Sequence, residues 1–187
     1  SIYSFSNIGQ FNSLLSLGHN DNHKFFLQTT IRHADFEIDN YFRSSAKRFD
    51  IGLLSTSSNK SQSASFLGAS VIAEANVGRP ENMPMSRSGN GIGIRLEGGK
   101  QISEKWSLSG KAEFLDWQGT HKMQSMTSAN QNKRYDVSNS RIYANFDLIR
   151  SFSWLSGQSQ WRTGVHYLKN DYGNNLSRNK SEFIEPF

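Results

Sequence analysis

The chain of 187 residues contains no cysteine, which excludes a disulfide framework, thiol catalysis and metal sites built from thiolates. Proline is also scarce, with three residues. No stretch of the sequence approaches the roughly 18 consecutive apolar residues of a membrane-spanning helix, so a helical membrane protein is excluded. The length suits one substantial domain, and we predict a single domain over residues 1–187.

Hydrophobic residues make up only 35% of the chain, yet aromatic residues reach 12%, and the mean hydropathy is −0.63. Disorder is not expected, because the aromatic and aliphatic residues are plentiful and recur periodically. A closed barrel in lipid explains this composition, since it needs hydrophobic residues only at alternate positions and can be polar between them. The first residue is Ser1 and no signal peptide is visible, so we expect a mature or trimmed chain.

The net charge is +5 and the isoelectric point is near 9.5. A basic balance suits either nucleic acid or the phosphates of an anionic membrane surface. The Lys and Arg residues are dispersed, and the sequence shows no basic helix or aromatic RNA-binding motif. The sequence therefore favours a membrane partner and predicts no nucleic-acid partner.

The clearest pattern is a β-hairpin over residues 91–118, in which apolar residues alternate with polar or charged ones along two arms. Period-two alternation over this length indicates β-strands rather than helices. A tight turn at Ser103, Glu104 and Lys105 would set opposite charges together on one face and hydrophobic residues on the other, which stabilises a sheet. The predicted cross-strand pairs are Lys111 with Glu97, Glu113 with Arg95, and Phe114 with Ile94.

Similar alternation predicts strands near residues 11–18, 25–36, 49–55, 65–77, 135–149 and 161–167, and a short last strand. These strands are about 8–13 residues long, close to the 9–11 that cross a bilayer at a tilt. The predicted connections alternate short and long, with long ones at 37–47, 78–90 and 119–134, as in membrane barrels. The predicted fold is an all-β, antiparallel transmembrane β-barrel with about 8–10 strands in this chain, although a soluble sandwich or barrel can also alternate.

The order of the connections suggests that this chain is one part of a larger barrel. The first clear connection is short, so the strand at residues 11–18 is expected to descend from the outer surface. Either residues 1–8 form a shortened ascending strand, or further strands from the same or another chain complete the barrel. We favour the second of these alternatives.

The end of the chain resembles the terminal signature of Gram-negative outer-membrane proteins, with Phe187 last and Phe183 four residues before it. Pro186 and Glu185 depart from that signature. Alternating strands, Trp and Tyr near strand ends, and Ser/Asn-rich loops are similar to that superfamily across nearly the whole chain. Residues 165–180 are also similar to the closing hairpin of surface lipoprotein assembly modulators and exopolysaccharide export porins. This second resemblance implies an export conduit for a protein or a polysaccharide.

Charged residues at alternate strand positions are the candidates for the lining of the barrel. A charge that faces lipid at mid-depth costs about 2–4 kcal/mol, so these side chains are expected to face the lumen. They could line a pore that selects solutes, or form salt bridges that fill the interior, as in a barrel of about eight strands. The candidate lumen-lining residues are Arg32, Arg95, Glu97, Lys111, Glu113, Arg141 and Arg162.

The predicted long loops carry basic residues that could meet lipopolysaccharide phosphates or a partner, or simply be solvated. They are Arg79, Arg87, Lys122, Lys133 and Arg134. Trp and Tyr rings are expected at the lipid headgroup level, with ordinary sheet packing as the alternative. These rings belong to Trp106, Trp117, Trp154, Trp161, Tyr3, Tyr41, Tyr143 and Tyr167.

Five histidines raise the question of metal binding or catalysis. His19 and His23 flank a turn with Asp21 between them, a spacing that suits either a metal ion or a hydrophilic turn, and we favour the turn. His33 and Asp35 lie two apart and share a strand face, as a catalytic base and its orienting carboxylate would. No serine nucleophile in a defining motif accompanies them.

Outer-membrane lipid hydrolases resemble one another in a His with nearby Ser and Asn on strands at the barrel surface. Residues 121–128 contain some of these residue types, but they are predicted as a loop and lack the compact motif. We therefore predict no catalytic residue, no metal site and no cofactor. The predicted function is a non-catalytic conduit for transport or export across the outer membrane, in contact with outer-membrane lipid and lipopolysaccharide. The alternatives are a surface barrel for binding, adhesion or reception, a lipid-modifying enzyme, and a soluble lectin-like β-protein.

Overall fold

The computed structural model describes residues 4–20, 22–38, 42–58, 64–80, 85–124, 132–154, 157–174 and 177–186. These residues form an all-β fold of nine strands. The strands are β1 (Ser4–His19), β2 (His23–Ile38), β3 (Phe42–Ser58), β4 (Ala64–Pro80), β5 (Met85–Gln101), β6 (Trp106–Gln124), β7 (Asn132–Trp154), β8 (Gly157–Asn174) and β9 (Arg178–Pro186). Within these ranges, no helix is long and apolar enough to cross a membrane.

The strands form one antiparallel sheet in which each strand pairs with its neighbours in sequence. The order is linear from β1 to β9, so these two strands are the edges of the described sheet. The predicted register of the β5–β6 hairpin is confirmed, because Lys111 pairs with Glu97, Glu113 with Arg95, and Phe114 with Ile94. The predicted all-β antiparallel fold is also confirmed, and nine strands lie within the predicted range.

Strands β1 to β8 are longer than the sequence predicted, with 16 to 23 residues each. Most of the stretches predicted as long connections at 37–47, 78–90 and 119–134 belong to strands instead. The prediction was wrong because it ended each strand where apolar alternation stops, whereas the backbone ladder does not depend on side-chain polarity. Residues 39–41, 81–84 and 125–131, which separate these strands, lie outside the described residues.

The central strands have an apolar outer face and a polar inner face. Outward positions carry exposed hydrophobic side chains, such as Leu53, Val71 and Ile94. The positions between them point inward and are often buried, and the buried polar side chains are Thr30, Asp50, Ser70, Arg95, Glu113 and Asp147. Exposed apolar residues that alternate with buried polar ones suit a sheet with lipid on its outer side.

The apolar part of the outer face lies closer to one end of the strands. We call this the turn end, where β1 meets β2 and β5 meets β6, and the opposite one the far end. Many outward side chains near the turn end are apolar, including Phe25 and Leu67. Nearer the far end, one row across the sheet reads His33, Lys47, Ala75 and Asn90. A strand needs about 9–11 residues to cross a bilayer, and β1 to β8 are longer than that.

Trp117 lies inside the sheet, with an exposure of 2%, so the expectation that its ring marks the headgroup level is wrong. The indole packs over two glycines on the inner face. A Cβ atom on Gly89 would come within 2.1 Å of Trp117 Cζ2, and one on Gly119 within 2.3 Å of Trp117 Cη2. Glycine at these positions therefore leaves the space that the ring occupies.

The other predicted belt residues divide between the two faces. Trp106 and Trp161 meet edge to face with ring centroids 6.3 Å apart, near the turn end, on the outer face. Tyr143 points to the inner face instead, where its ring contacts Lys111, so its placement in a belt is wrong. The side chain of Trp154, and Tyr3 and Tyr41 as whole residues, lie outside the described part of the chain.

Candidate functional site on the inner face

A network of ion pairs joins five strands on the inner face, from β3 to β7. It contains four basic and four acidic side chains, so their formal charges cancel. Inward positions of neighbouring strands share one space because the side chains of a strand alternate between the two faces. The members of this inner-face network are Arg48, Asp50, Glu74, Arg95, Glu97, Lys111, Glu113 and Arg141.

Arg48 is the centre of the network. Its Nη1 and Nη2 atoms donate to the two carboxylate oxygens of Glu113 at 2.8 Å each, and its Nε donates to Asp50 at 2.8 Å. Paired hydrogen bonds between a guanidinium and a carboxylate fix both distance and orientation. Arg48 lies on β3 and Glu113 on β6, so this contact passes over β4 and β5 and holds the four strands together.

Asp50 has an exposure of 1% and is shared by two guanidinium groups. Its second oxygen accepts a hydrogen bond from Arg95 Nη1 at 2.9 Å, and Arg95 is itself 4% exposed. Charges withdrawn from water to this extent are tolerated only when they are paired and hydrogen-bonded. Removing any of the three would leave an uncompensated charge inside the sheet.

Lys111 and Arg141 are held more loosely. Arg141 Nη2 lies 3.6 Å from Glu74 and 3.7 Å from Glu113, and Lys111 Nζ lies 3.7 Å from Glu113. The Lys111 amino group also stands 5.7 Å from the centre of the Tyr143 ring, within the range of a cation–π contact. Both basic side chains keep about a third of their surface exposed, at 32% and 34%. They are the most exposed cations of the network.

These two cations border a polar cavity of about 640 Å³ between the network and β8. Lys111, Glu113 and Arg141 contribute charge to the wall, and Asn139 and Asn170 add amide groups. The lining thus combines cations with hydrogen-bond donors and acceptors. Such a surface suits a hydrophilic solute rather than an apolar one.

A smaller cluster lies nearer the turn end, around Asp147, which is 2% exposed. Asp147 accepts a hydrogen bond from Asn145 Nδ2 at 2.9 Å and contacts the Arg162 guanidinium. Arg162, a predicted lumen-lining residue, therefore lies on the inner face but in a different cluster from the network around Arg48.

The remaining predicted lumen-lining residues are placed as follows. Arg95, Glu97, Lys111, Glu113 and Arg141 come together in the inner-face network. Arg32 lies on β2 opposite Arg48 in the register, and its side chain is exposed. Whether these side chains line a route for solutes stays a prediction.

The charge partners inside the network differ from those the hairpin register suggested. Arg95 and Glu113 face each other across β5 and β6, but Arg95 bonds to Asp50 and Glu113 bonds to Arg48. Glu97 is the more distant partner of Arg95, at 3.9 Å. Long side chains on a curved inner face reach past the adjacent strand, so register alone does not decide which charges meet.

The basic residues predicted in long loops lie on strands, so their loop placement is wrong. They are Arg79 on β4, Arg87 on β5, Lys122 on β6, and Lys133 and Arg134 on β7. Arg134 is exposed, with its Nε 3.7 Å from Asp136. A lipopolysaccharide contact of this group stays a prediction.

Sequence reasoning missed four charged residues that the structure places on the inner face: Arg48, Asp50, Glu74 and Asp147. A signal for the first two was present, because Arg48 and Asp50 alternate with Phe49 and Ile51 as the charges of the hairpin alternate with its hydrophobic residues. Asp50 lies within a strand that was predicted, but its charge was not considered for the lining. The same alternation rule, applied to every strand, would have included it.

The turn between β1 and β2 has the hydrogen bonds of an ordinary polar turn. Asn20 Oδ1 accepts a hydrogen bond from the backbone N–H of His23 at 2.8 Å, as Asn side chains in turns commonly do. Asp21, which would complete a metal site there, lies outside the described residues. In the part of the chain that the structure describes, no group of three or more His, Cys, Asp or Glu could hold a metal ion.

His33 and Asp35 share a face as predicted, with His33 Nε2 at 2.5 Å from Asp35 Oδ2. The pair points to the outer face near the far end, because His33 lies opposite Lys47 in the outward row that also contains Ala75 and Asn90. In the region compared with lipid hydrolases, His121 lies on β6, and residues 125–128 lie outside the described part of the chain.

No protein-family model matches the sequence, and no curated protein matches it. Solved structures match by fold. The unliganded ferric citrate transporter FecA aligns with a TM-score of 0.54 and 11% identity, over 98% of this chain and 33% of that one. The translocator domain of the autotransporter NalP from Neisseria meningitidis gives a TM-score of 0.45 and 7% identity, over 100% and 74%. BauA, the ferric preacinetobactin receptor from Acinetobacter baumannii, gives 0.43 and 7%, over 98% and 37%.

The chain thus spans about a third of the length of the ferric citrate transporter. At this identity the likeness concerns the fold alone. Together with the antiparallel meander and the apolar outer face, it shows that the chain has the fold of an outer-membrane β-barrel wall.

Proposed function

We propose that the chain forms the wall of an outer-membrane β-barrel that conducts a hydrophilic solute or an exported polymer and performs no catalysis. One observation carries the proposal: the same strands bury charge on the inner face and expose hydrophobic side chains on the outer face. A sheet of this kind is stable with lipid outside and a polar interior inside. The fold likeness to a ferric citrate transporter supports a role in transport.

The route we propose runs beside the inner-face network rather than through it. The network fills the space against β3 to β6 with paired charges. The polar cavity lined by Lys111, Arg141 and Asn170 lies between this filled part and β8. A passing solute would meet the loosely held cations first, so the route favours anionic or hydroxyl-rich cargo.

The proposed barrel contains more strands than the nine of the described sheet. Backbone groups of a strand edge have no water to bond with inside a bilayer, so a conducting barrel pairs every edge. In the described sheet, β1 and β9 each have a neighbour on one side. We propose that further strands, from the same chain or another, pair with these two edges.

Ion selectivity in planar lipid bilayers tests the proposal. Lys111→Glu reverses a charge on the cavity wall, and we expect it to shift the reversal potential under a KCl gradient towards cation selectivity. Lys100→Glu is the matched control, because Lys100 is exposed near the turn end of β5 and lies outside the cavity lining. It should leave the reversal potential unchanged.

Two results would overturn the conduit. One is the absence of conductance steps from wild-type protein that migrates as a folded barrel on an unheated gel. The other is a reversal potential that responds equally to Lys111→Glu and Lys100→Glu, since the cavity wall would then have no special influence on passing ions.

A surface barrel that binds a ligand is the second candidate, and the extension of the strands at the far end favours it. Most outward positions there are polar, and Asp136 and Arg134 on β7 are well exposed. Folded protein that binds cells or ligands but conducts no ions would support this candidate over the conduit.

A further inference from the structure

An apolar groove runs along β4 on the outer face. Its floor consists of small side chains at Ala69, Val71, Ala73 and Ala75, which point outward in alternation. Larger hydrophobic side chains on the neighbouring strands form its walls, with Phe49, Ile51 and Leu53 on β3 and Ile92, Ile94 and Leu96 on β5. From Ala69 to Ala75 the groove is about 20 Å long, at the usual rise of a strand.

Towards the far end, the row of small side chains meets a depression of about 610 Å³ that is lined by Phe49, Ala73 and Ile92. Lys47 and His33 border its mouth. Lys47 is exposed and brings positive charge to this point. The nearby carboxylate of Asp35 is already bonded to His33, at 2.5 Å.

We propose that this groove binds one acyl chain of lipopolysaccharide, the phosphorylated glycolipid of the outer leaflet, and that Lys47 contacts its phosphate. The groove offers a linear apolar trough with a cation beside it, at the row of His33, Lys47 and Asn90, where most outward side chains are polar. Such a polar row marks the level of the lipid headgroups, where basic side chains bind phosphate. This lipid site depends on the outer-membrane location in the proposed function, but it does not depend on conduction.

The leaflet follows from the two ends of the sheet. Outer-membrane barrels keep their longer extramembrane parts on the extracellular side. The strands extend beyond the apolar part of the outer face at the far end, which is the end where Lys47 lies. The mouth of the groove therefore faces the outer leaflet, whose phosphates belong to lipopolysaccharide.

Titration of the folded full chain in detergent with purified lipid A, read as bound copies by native mass spectrometry, tests the site. We expect Lys47→Glu to weaken lipid A binding by about tenfold, as the loss of one contact between charged groups implies. Ala73→Phe fills the groove floor and should weaken binding as well. The matched controls are Lys100→Glu and Ala112→Phe, an exposed alanine on the outward side of β6. Both controls should bind like the wild type.

The proposal is overturned if Lys47→Glu binds lipid A as the wild type does, or if Lys100→Glu loses as much affinity. It is also overturned if phosphatidylglycerol, titrated in a parallel arm, binds as tightly as lipid A and responds to the same substitution, because the occupant would then be a phospholipid. If Ala73→Phe fails to fold, Lys47→Glu and its control decide alone. Loss of conductance with intact lipid A binding would contradict only the conduit, and the converse only the lipid site.

Discussion

Period-two alternation predicted both central and edge strands of this sheet, yet their side chains differ widely in burial. On the central strands, inner side chains such as Ile72 and Asp50 have exposures of 0% and 1%. On β1, every side chain described from residue 6 to residue 19 is exposed, and β9 is almost as open. Alternation thus sets the direction of a side chain, whereas burial needs neighbours on both sides and across the inner face.

The difference has a physical cause in the contacts that cross the inner face. Arg48 and Glu113 connect β3 to β6, and Arg95 connects β5 back to Asp50 on β3. In the described sheet, β1 and β9 each pair with one neighbouring strand. Stability should therefore be concentrated in the centre, as local stability varies with the density of buried contacts.

The largest effect is expected when the buried network is broken. Asp50→Ala leaves Arg48 and Arg95 without their shared carboxylate, and we expect the free energy of unfolding to fall by about 3–5 kcal/mol, as for other broken buried pairs. The measurement is the urea midpoint of the barrel in lipid vesicles, followed by tryptophan fluorescence.

Asp136→Ala is the control for that variant, because Asp136 is 75% exposed and its ion pair with Arg134, at 3.7 Å, lies on the surface. It should change the free energy of unfolding by less than about 0.5 kcal/mol. Equal midpoints for Asp50→Ala and Asp136→Ala would contradict the contrast between the centre and the surface.

A smaller effect is expected from steric crowding under Trp117. Gly89→Ala would place a methyl group within 2.1 Å of the indole, and we expect a loss of about 1–3 kcal/mol, typical of overpacking. Gly9→Ala on β1 is the matched control, since a Cβ atom there meets nothing within 4 Å. Unfolding midpoints of the two variants check this, and a Gly9→Ala midpoint that falls as far as that of Gly89→Ala would show that β1 packs like the centre.

The smallest effect is expected at the β8–β9 edge. Arg178 donates two hydrogen bonds of 2.7 Å to Asp171, but 71% of its side chain is exposed. Exposed ion pairs contribute little and are screened by salt, so Arg178→Ala should shift the unfolding midpoint less than Gly89→Ala. The comparison is made at low and at high salt, and a shift that rivals Asp50→Ala at both would contradict it.

Much of the fold was predictable because it depends on local patterns. The alternation of residues 91–118 predicted two strands, and the requirement that charges meet charges and apolar residues meet apolar ones selected the register that the structure has. Strand ends were mispredicted because polar residues at the far end continue the backbone ladder without an apolar pattern. Trp117 was misplaced although alternation sets it on the same face as Lys111 and Glu113, and only the space left for its ring by Gly89 and Gly119 depends on the tertiary structure.

By itself, the sequence determined the strand type, the register of the central hairpin and the face on which its charges lie, because these follow from period-two alternation and from the matching of the two arms. Only the tertiary structure decided which charges meet. Arg48 and Glu113 are 65 residues apart in the chain, and Arg95 and Asp50 are 45 apart. Their contacts depend on how far the sheet curves around its inner face, and that curvature belongs to the whole sheet rather than to any one strand.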